Sequence, residues 1–516
     1  MLHLLIAACG GSGSGSGNGN GDALGDMDGT WEGTWVSGEV SGRNGSFEAQ
    51  VVQSGSSLSG SIDIPYIGME NAVLTGTVSG SRITFGDIDH TITFVGSVSG
   101  DRCSGTFSMP AYDERGTWTA DRTAEGGDSA TGGLDLHFGE GGVLVSDLHL
   151  TPAAIAVQST GRILIAGDPM SDFSIDVVQI VALTNGGQLD TAFGGGAVVT
   201  TTATPAGADR VCGMSLAEDD TIYLCTQAGE DNLVLLSYTA SGEPDTNFGN
   251  GGQVSVALDA GETISAMTRS ADGRLLVAGM TSGRLIVRRF LSDGSLDTTF
   301  GVDGATQVSV TDLQRVADLT VNGSGHILIG GSAGNDFLLL CLTESGVVDT
   351  DFASGGITSV DVDSDDEAHD LALLSDGRIL LAGFGQIDFW LPKTAVIAAF
   401  NTDGSLADSF GTQGICGVSG LENDVAPLFG SFLQVGVDTY DRIAIGGMDA
   451  NLFLVARFSS DGQIDNSFGG DGFETADFSS TGGWDFATAV TIQNDDKIVA
   501  AGVAASCELV VVRYSP

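Results

Sequence analysis

The sequence predicts an all-β protein, a small antiparallel β-barrel followed by a seven-bladed β-propeller. Three observations predict it. Glycine accounts for 78 of 516 residues while charged residues make up only 17%, a composition of many tight turns and few solvated helix faces. A motif of the form L-D-x-x-F-G-x-x-G recurs seven times, with its Phe at positions 138, 193, 248, 300, 352, 410 and 468. Between successive motifs lie runs dense in Val, Ile and Leu and separated by Gly, Asp and Ser turns, enough for four short strands per unit.

Charge bounds the partners. Lys and Arg number 19 against 67 Asp and Glu, giving a net charge of −48, and the only lysines are Lys393 and Lys497. Such a field repels phosphate backbones and anionic headgroups, which argues against nucleic acid and against any membrane contact except through a lipid anchor. Hydrophobic residues at 42% supply ample core, which excludes wholesale disorder.

The first nine residues end in Ile6-Ala7-Ala8-Cys9 and resemble a bacterial lipobox, in which the cysteine is acylated after cleavage. The apolar run is short and lacks a basic leader, which predicts a start further upstream. Residues 10–27 are a Gly/Ser-rich tether of the kind an anchor needs. The resemblance implies lipidation at Cys9, and Gly10 after it implies an outer-membrane or surface address.

Residues 28–122 read as one small barrel. Short alternating runs from TWEGTWV to GTWTADR are broken by Gly, Ser and Asp, the pattern of an eight-stranded meander. Its first and last strands resemble those of lipocalin- or avidin-like barrels. Trp31, Trp35 and Trp118 either fill its core or line a ligand mouth.

Residues 123–132 form a polar linker, and 133–516 hold the repeats. The Phe spacings are 55, 55, 52, 52, 58 and 58, a period that specifies tandem supersecondary units. A second anchor, as in STGRILIAG and SDGRILLAG, and a third run, as in LIVRRFLSDG, recur with it. Four antiparallel strands per unit make a propeller blade. The last unit stops at LVVVRYSP without its own Phe motif, whereas LDLHFGEGG precedes the first full unit. The N-terminal segment 134–145 is therefore expected to complete the final blade and close the ring.

The repeats resemble the delta-60 repeat family of bacterial secreted proteins, which shares the D-G-[RK]-I and L-D-x-x-F-G signatures. That resemblance implies the architecture and an extracytoplasmic setting, and assigns no activity. The chain departs from it at Ala353, in place of the motif Gly, and at Ala407, where the Asp slips to Asp408. The motif acids Asp135, Asp190, Asp245, Asp297, Asp349 and Asp465 follow a turn, where a short carboxylate caps backbone N–H groups. The alternative is a ring of carboxylates around a ligand. The repeated Phe is expected to pack between blades.

Chemistry-bearing constellations are scarce. The six histidines show no metal-ligand spacing and none pairs locally with a Cys, so no zinc or copper cluster is expected. Asp361, Asp363 and Asp365 alternate as in a calcium loop, the alternative being a solvated acidic turn. No other cofactor is implied. Cys212 and Cys225 flank a hairpin turn symmetrically and form either a disulfide or two free thiols. Two insertions break the repeat. One, FGQIDFWLPK, carries Phe384, Phe389, Trp390 and Leu391 as a candidate partner contact; the other spans 421–432. Two functions follow: a non-catalytic surface lipoprotein whose propeller binds a protein or glycan or acts as a scaffold, or a calcium-dependent propeller hydrolase of the lactonase or phosphotriesterase type.

Overall fold

The computed structural model describes residues 27, 29–38, 43–54, 57–64, 69–79, 81–87, 92–99, 102–110, 114–125, 133–169, 177–201, 209–229, 231–362, 365–385, 393–423, 434–449, 451–478, 484–504 and 507–516. The chain divides into two compact units, residues 1–127 and 128–516. No helix among the described residues is long and apolar enough to cross a membrane.

The first unit is a closed eight-stranded barrel of β1 (Gly29–Ser37), β2 (Asn44–Ser54), β3 (Ser57–Ile64), β4 (Met69–Ser79), β5 (Arg82–Asp87), β6 (Thr93–Ser99), β7 (Arg102–Met109) and β8 (Glu114–Glu125). Each strand pairs with its sequence neighbour, and β1 closes on β8 through Trp35 opposite Trp118. Alternation sends one set of side chains inward. Trp31, Trp35 and Trp118 are at most 2% exposed, and Trp118 meets the rings of Phe47, Phe85 and Phe94 edge-on at 5.4–5.9 Å. The tryptophans therefore fill the core, as expected of a barrel this small.

The second unit is the predicted propeller. After β9 (Val143–Ser146), blade 1 is β10 (Leu150–Val157), β11 (Ile163–Pro169), β12 (Val178–Leu183) and β13 (Val198–Thr201). Blade 2 is β14 (Asp209–Leu216), β15 (Ile222–Ala228), β16 (Asn232–Tyr238) and β17 (Gln253–Ala257). Blade 3 is β18 (Glu262–Arg269), β19 (Leu275–Thr281), β20 (Arg284–Phe290) and β21 (Ala305–Ser309). Blade 4 is β22 (Leu313–Val321), β23 (Ile327–Ala333), β24 (Asp336–Leu342) and β25 (Ile357–Val360). Blade 5 is β26 (Glu367–Leu373), β27 (Ile379–Gly385), β28 (Lys393–Phe400) and β29 (Ile415–Asn423). Blade 6 is β30 (Gln434–Val437), β31 (Ile443–Asp449), β32 (Leu452–Phe458) and β33 (Phe473–Ala476). Blade 7 is β34 (Phe486–Ile492), β35 (Ile498–Val503) and β36 (Leu509–Tyr514), completed by β9.

Burial explains the sequence pattern. The two middle strands of a blade are covered on both faces by neighbouring blades, so they read as continuous apolar runs; every residue of β15 and β36 is buried. Outer strands such as β13 and β25 are half-exposed and correspondingly polar. Ring closure takes the expected form: Leu509, Val510, Val511 and Val512 pair antiparallel with Ser146, Val145, Leu144 and Val143. Leu134 bridges Tyr514, and Ser515 N–H donates to the Gly133 carbonyl at 2.8 Å.

Candidate functional site

Each repeated motif is a fastening between one blade and the next. The motif Asp turns one oxygen to the backbone N–H two residues on, for instance Asp135 Oδ1 to His137 at 3.0 Å and Asp465 Oδ1 to Ser467 at 3.0 Å, which is the capping role expected of it. In four of the motifs its other oxygen accepts from a guanidinium: Asp135 Oδ2 from Arg513 Nε at 2.6 Å, Asp297 from Arg289 at 2.8 Å, Asp465 from Arg457 at 2.8 Å, Asp190 from Arg162 at 2.7 Å. Burial alone would raise the Asp135 carboxyl, but Arg513, the His137 N–H and Lys497 outweigh it and hold the group below the ordinary range.

The same arginines lie over the motif Phe rings, 4.7 Å for Arg513 over Phe138 and 4.6 Å for Arg289 over Phe300. Arginines before the second strand also reach across the blade boundary: Arg162 Nη1 donates to the Ala240 carbonyl and Arg378 Nη1 to the Ser460 carbonyl, each at 2.9 Å. The Phe packs on a turn glycine of the following blade. A Cβ at Gly187 would fall 2.8 Å from the Phe138 ring, so only glycine fits, and its φ of +78° favours glycine as well.

The residue after the Phe donates its N–H to that same turn, as Gly301 does to Ser345 at 2.9 Å and Ala353 to Asp403 at 2.7 Å. This position is left-handed, with φ +56° at Gly301 and +48° at Ala353. Ala353 thus occupies a conformation its Cβ disfavours. Ala353→Gly is expected to raise stability by about 0.5–1 kcal/mol after the glycine's extra chain entropy is subtracted, read as a higher urea midpoint at unchanged m-value.

The inner strands hold the polar residues that differ from blade to blade. The inner-strand position paired with the fourth residue of each second strand is Ala154, Gly213, Ala266, Asp318, Asp370, Gln434 and Ala489 in blades 1 to 7. Three adjacent blades therefore carry polar side chains around the axis. Asp318 and Asp370 are hydrogen-bonded to one another. Asp370 Oδ2 accepts from Val435 N–H at 2.7 Å, and Gln434 Oε1 from Val490 N–H at 3.2 Å. Each ties its blade to the inner strand of the next.

Burial pushes the Asp370 carboxyl up to about 6, and burial together with the Asp370 charge pushes Asp318 well above its ordinary range. The folded pair therefore binds a proton that the unfolded chain releases near pH 4. The part carried by Asp370 is complete below about pH 4 and is lost as pH rises through 6, while Asp318 keeps its proton to higher pH. Asp370→Asn keeps an oxygen for Val435 and offers an N–H to Asp318. It is expected to flatten the fall in stability between pH 5 and 8, a gain on the order of 2 kcal/mol at pH 8, measured by urea unfolding across that range.

The predicted site residues fall in different places. The Asp361 carboxylate lies within 4.8 Å of those of Asp336 and Asp366, and Asp363 lies outside the described residues. Cys212 and Cys225 meet at the bulge between β14 and β15 as two free thiols, whose mutual hydrogen bond favours ionisation of Cys212, while burial pushes Cys225 well up. Phe384 is not on a loop: it belongs to β27, is 7% exposed and sits edge-on to His369. The contact reading passes to Phe389, Trp390 and Leu391, which, like Cys9 and residues 424–433, lie outside the described residues.

One expectation is corrected. His326 and Cys341 do come together, with Asp349, their donor atoms all within 4.8 Å of one another. Fifteen residues separate the two in sequence; the β23–β24 hairpin, which sets Leu328 opposite Cys341, brings them to one face. Burial first, then the Asp349 carboxylate, pushes the Cys341 thiol up to about 12. A column-by-column comparison of the repeats carried the signal, because siblings place Arg, Lys, Ala, Ser or Thr at these two positions.

Solved structures similar to this chain include a virginiamycin B lyase from Staphylococcus aureus, 11% identical over 72% of this chain and 98% of that one, with a TM-score of 0.44. Others are YCF48 from Cyanidioschyzon merolae, 11% identical over 72% and 98%, TM-score 0.40, and a gluconolactonase from Xanthomonas campestris, 15% identical over 60% and 90%, TM-score 0.31. No curated protein matches the chain. A family model described as "Domain of unknown function (DUF5122) beta-propeller" matches residues 270–300 and 323–352. In blades 3 and 4, from the turn before the second strand to the motif Phe, the chain is thus similar to the DUF5122 β-propeller family.

Proposed function

We propose that this protein is a non-catalytic, lipid-anchored protein of the bacterial cell envelope whose propeller binds a protein or glycan or serves as a scaffold. One observation carries the reading: the blade-specific polar residues of the inner ring, Asp318, Asp370 and Gln434, hydrogen-bond one another or the backbone N–H groups of the next blade. These contacts tie blade to blade, whereas calcium in a hydrolase of the alternative kind takes six to eight oxygens. A cation held at Asp361 on the blade 4 to blade 5 connection would be calcium, bound weakly by hard oxygens.

The experiment is an assay of lactone and phosphotriester hydrolysis by the full chain, with and without millimolar calcium. No turnover above that of Asp370→Asn is expected. Calcium-dependent turnover that Asp370→Asn abolishes would replace this reading with the hydrolase.

The address rests on the Ile6-Ala7-Ala8-Cys9 sequence and the tether that follows it. In an envelope-bearing host, mass spectrometry of the mature protein is expected to find an acylated N-terminal Cys9, and Cys9→Ser to move the protein out of the membrane fraction. Unchanged fractionation of Cys9→Ser would dispose of the anchor.

A further inference from the structure

We propose that blade 4 holds a divalent transition-metal site, of the kind zinc fills, made by His326, Cys341 and Asp349 in place of the arginine–aspartate fastening of blades 3, 6 and 7.

The equivalent positions in the other blades supply the argument. In blades 3, 6 and 7 the residue before the second strand is Arg274, Arg442 or Lys497, the penultimate residue of the third strand is Arg289, Arg457 or Arg513, and the motif acid is Asp297, Asp465 or Asp135. There the carboxylate has a guanidinium nitrogen at 2.6–2.8 Å. Blade 5 has Ala399 and Ala407 at the last two positions, and its Arg378 pairs with Asp376 at 2.7 Å. There the third-strand cation and the acid are both missing, while blade 2 keeps its acid, Asp245, with Thr221 and Ser237 at the two cation positions. Blade 4 keeps the acid, Asp349, and places His326 and Cys341 where the two cations stand elsewhere. A dication bound to a thiolate, a carboxylate and a neutral imidazole gives a neutral cluster, matching the charge balance of an Arg–Asp pair.

Geometry and donor chemistry agree. His326 Nε2 lies 3.8 Å from Asp349 Oδ2, and Cys341 Sγ 3.9 Å from the same oxygen. Ligands at ordinary zinc distances in a tetrahedron are about 3.3–3.6 Å apart, so closure needs side-chain shifts of a few tenths of an ångström to about 1 Å. Asp349 Oδ1 is fixed by the Asp351 N–H at 3.1 Å, which leaves Oδ2 facing the cysteine and histidine. Cys341 is 1% exposed whereas the His326 side chain is 38% exposed, giving two anchored ligands, a solvent-side entry and a fourth position for water. Sulfur and imidazole select zinc over calcium or magnesium. On binding, the Cys341 S–H bond breaks, its electron pair goes to the metal, and its proton leaves to solvent.

The test is cobalt(II) titration of the full chain under a non-thiol reductant, followed by displacement with zinc. The parent is expected to take up about one equivalent with a thiolate-to-cobalt charge-transfer band and tetrahedral visible bands, both removed by zinc. Cys212→Ser should retain the bands, which separates this site from the Cys212–Cys225 pair. Cys341→Ser should lose them and weaken zinc binding by more than the roughly 10–100-fold that loss of an outer-shell partner costs. Should Cys341→Ser fail to fold, the double variant His326→Arg/Cys341→Arg rebuilds the sibling fastening; it is expected to fold and show no band. A parent without the charge-transfer band, or a band that persists in either Cys341 variant, would overturn the site.

Discussion

Deletion of residues 133–146 is expected to unzip the seventh blade. The segment contributes the whole of β9, the Leu134 bridge to Tyr514, and Phe138, which is fully buried. Loss of a buried Phe alone costs about 3–5 kcal/mol, and the Asp135 ion pair is lost with it. The remainder of blade 7 would present β36, whose sequence LVVVRY is buried throughout, as an unpaired apolar edge. The deleted protein should melt well below the parent and aggregate on heating, as read by thermal unfolding with light scattering. A melting temperature equal to the parent's would show that the ring does not depend on closure by its ends.

Asp135→Ala is expected to be the most damaging single substitution at a repeated motif. Asp135 is fully buried and receives both Arg513 Nε at 2.6 Å and Lys497 Nζ at 3.2 Å. Removing it takes the shared carboxylate from Arg513, whose side chain is 4% exposed, and from the partly exposed Lys497 at the joint between the chain's two ends, which costs about 3–5 kcal/mol. Asp190→Ala in blade 1 is the internal comparison. Its pair with Arg162 is partly solvated, with 15% and 22% of the side chains exposed, so about 1–2 kcal/mol is expected. Urea unfolding of the two variants checks the contrast; equal losses would mean that burial does not set the strength of the fastening.

The architecture was legible because it is written seven times. Periodicity at 52–58 residues, the missing motif after LVVVRY and the spare one at LDLHFG specify both blade count and closure, since an edge strand at each end of the ring has only the other to pair with. The Asp cap and the Phe between blades followed from local turn chemistry. The candidate sites were less legible. Phe384 read as a loop residue because the insertion begins within the run LLAGFG, yet the β27 ladder continues to Gly385 and buries it. Asp361 read only with its alternating neighbours, whereas Asp336, 25 residues earlier on the preceding hairpin, also lies beside it.

The sequence by itself determined the all-β class, the seven blades, the closing strand, the capping Asp and the Phe between blades, because each depends on hydrogen-bonding and burial patterns that recur at fixed spacing. Only the tertiary structure decided which single-copy residues meet. Asp318 and Asp370 are 52 residues apart in the chain and hydrogen-bonded across adjacent inner strands; His326, Cys341 and Asp349 converge through one hairpin and the turn beyond it. The physical reason is that strand register and blade stacking bring together residues at equivalent positions of different strands. Their chemistry is set by that shared burial, which lifts a carboxyl or holds a thiol protonated, and not by their neighbours along the chain.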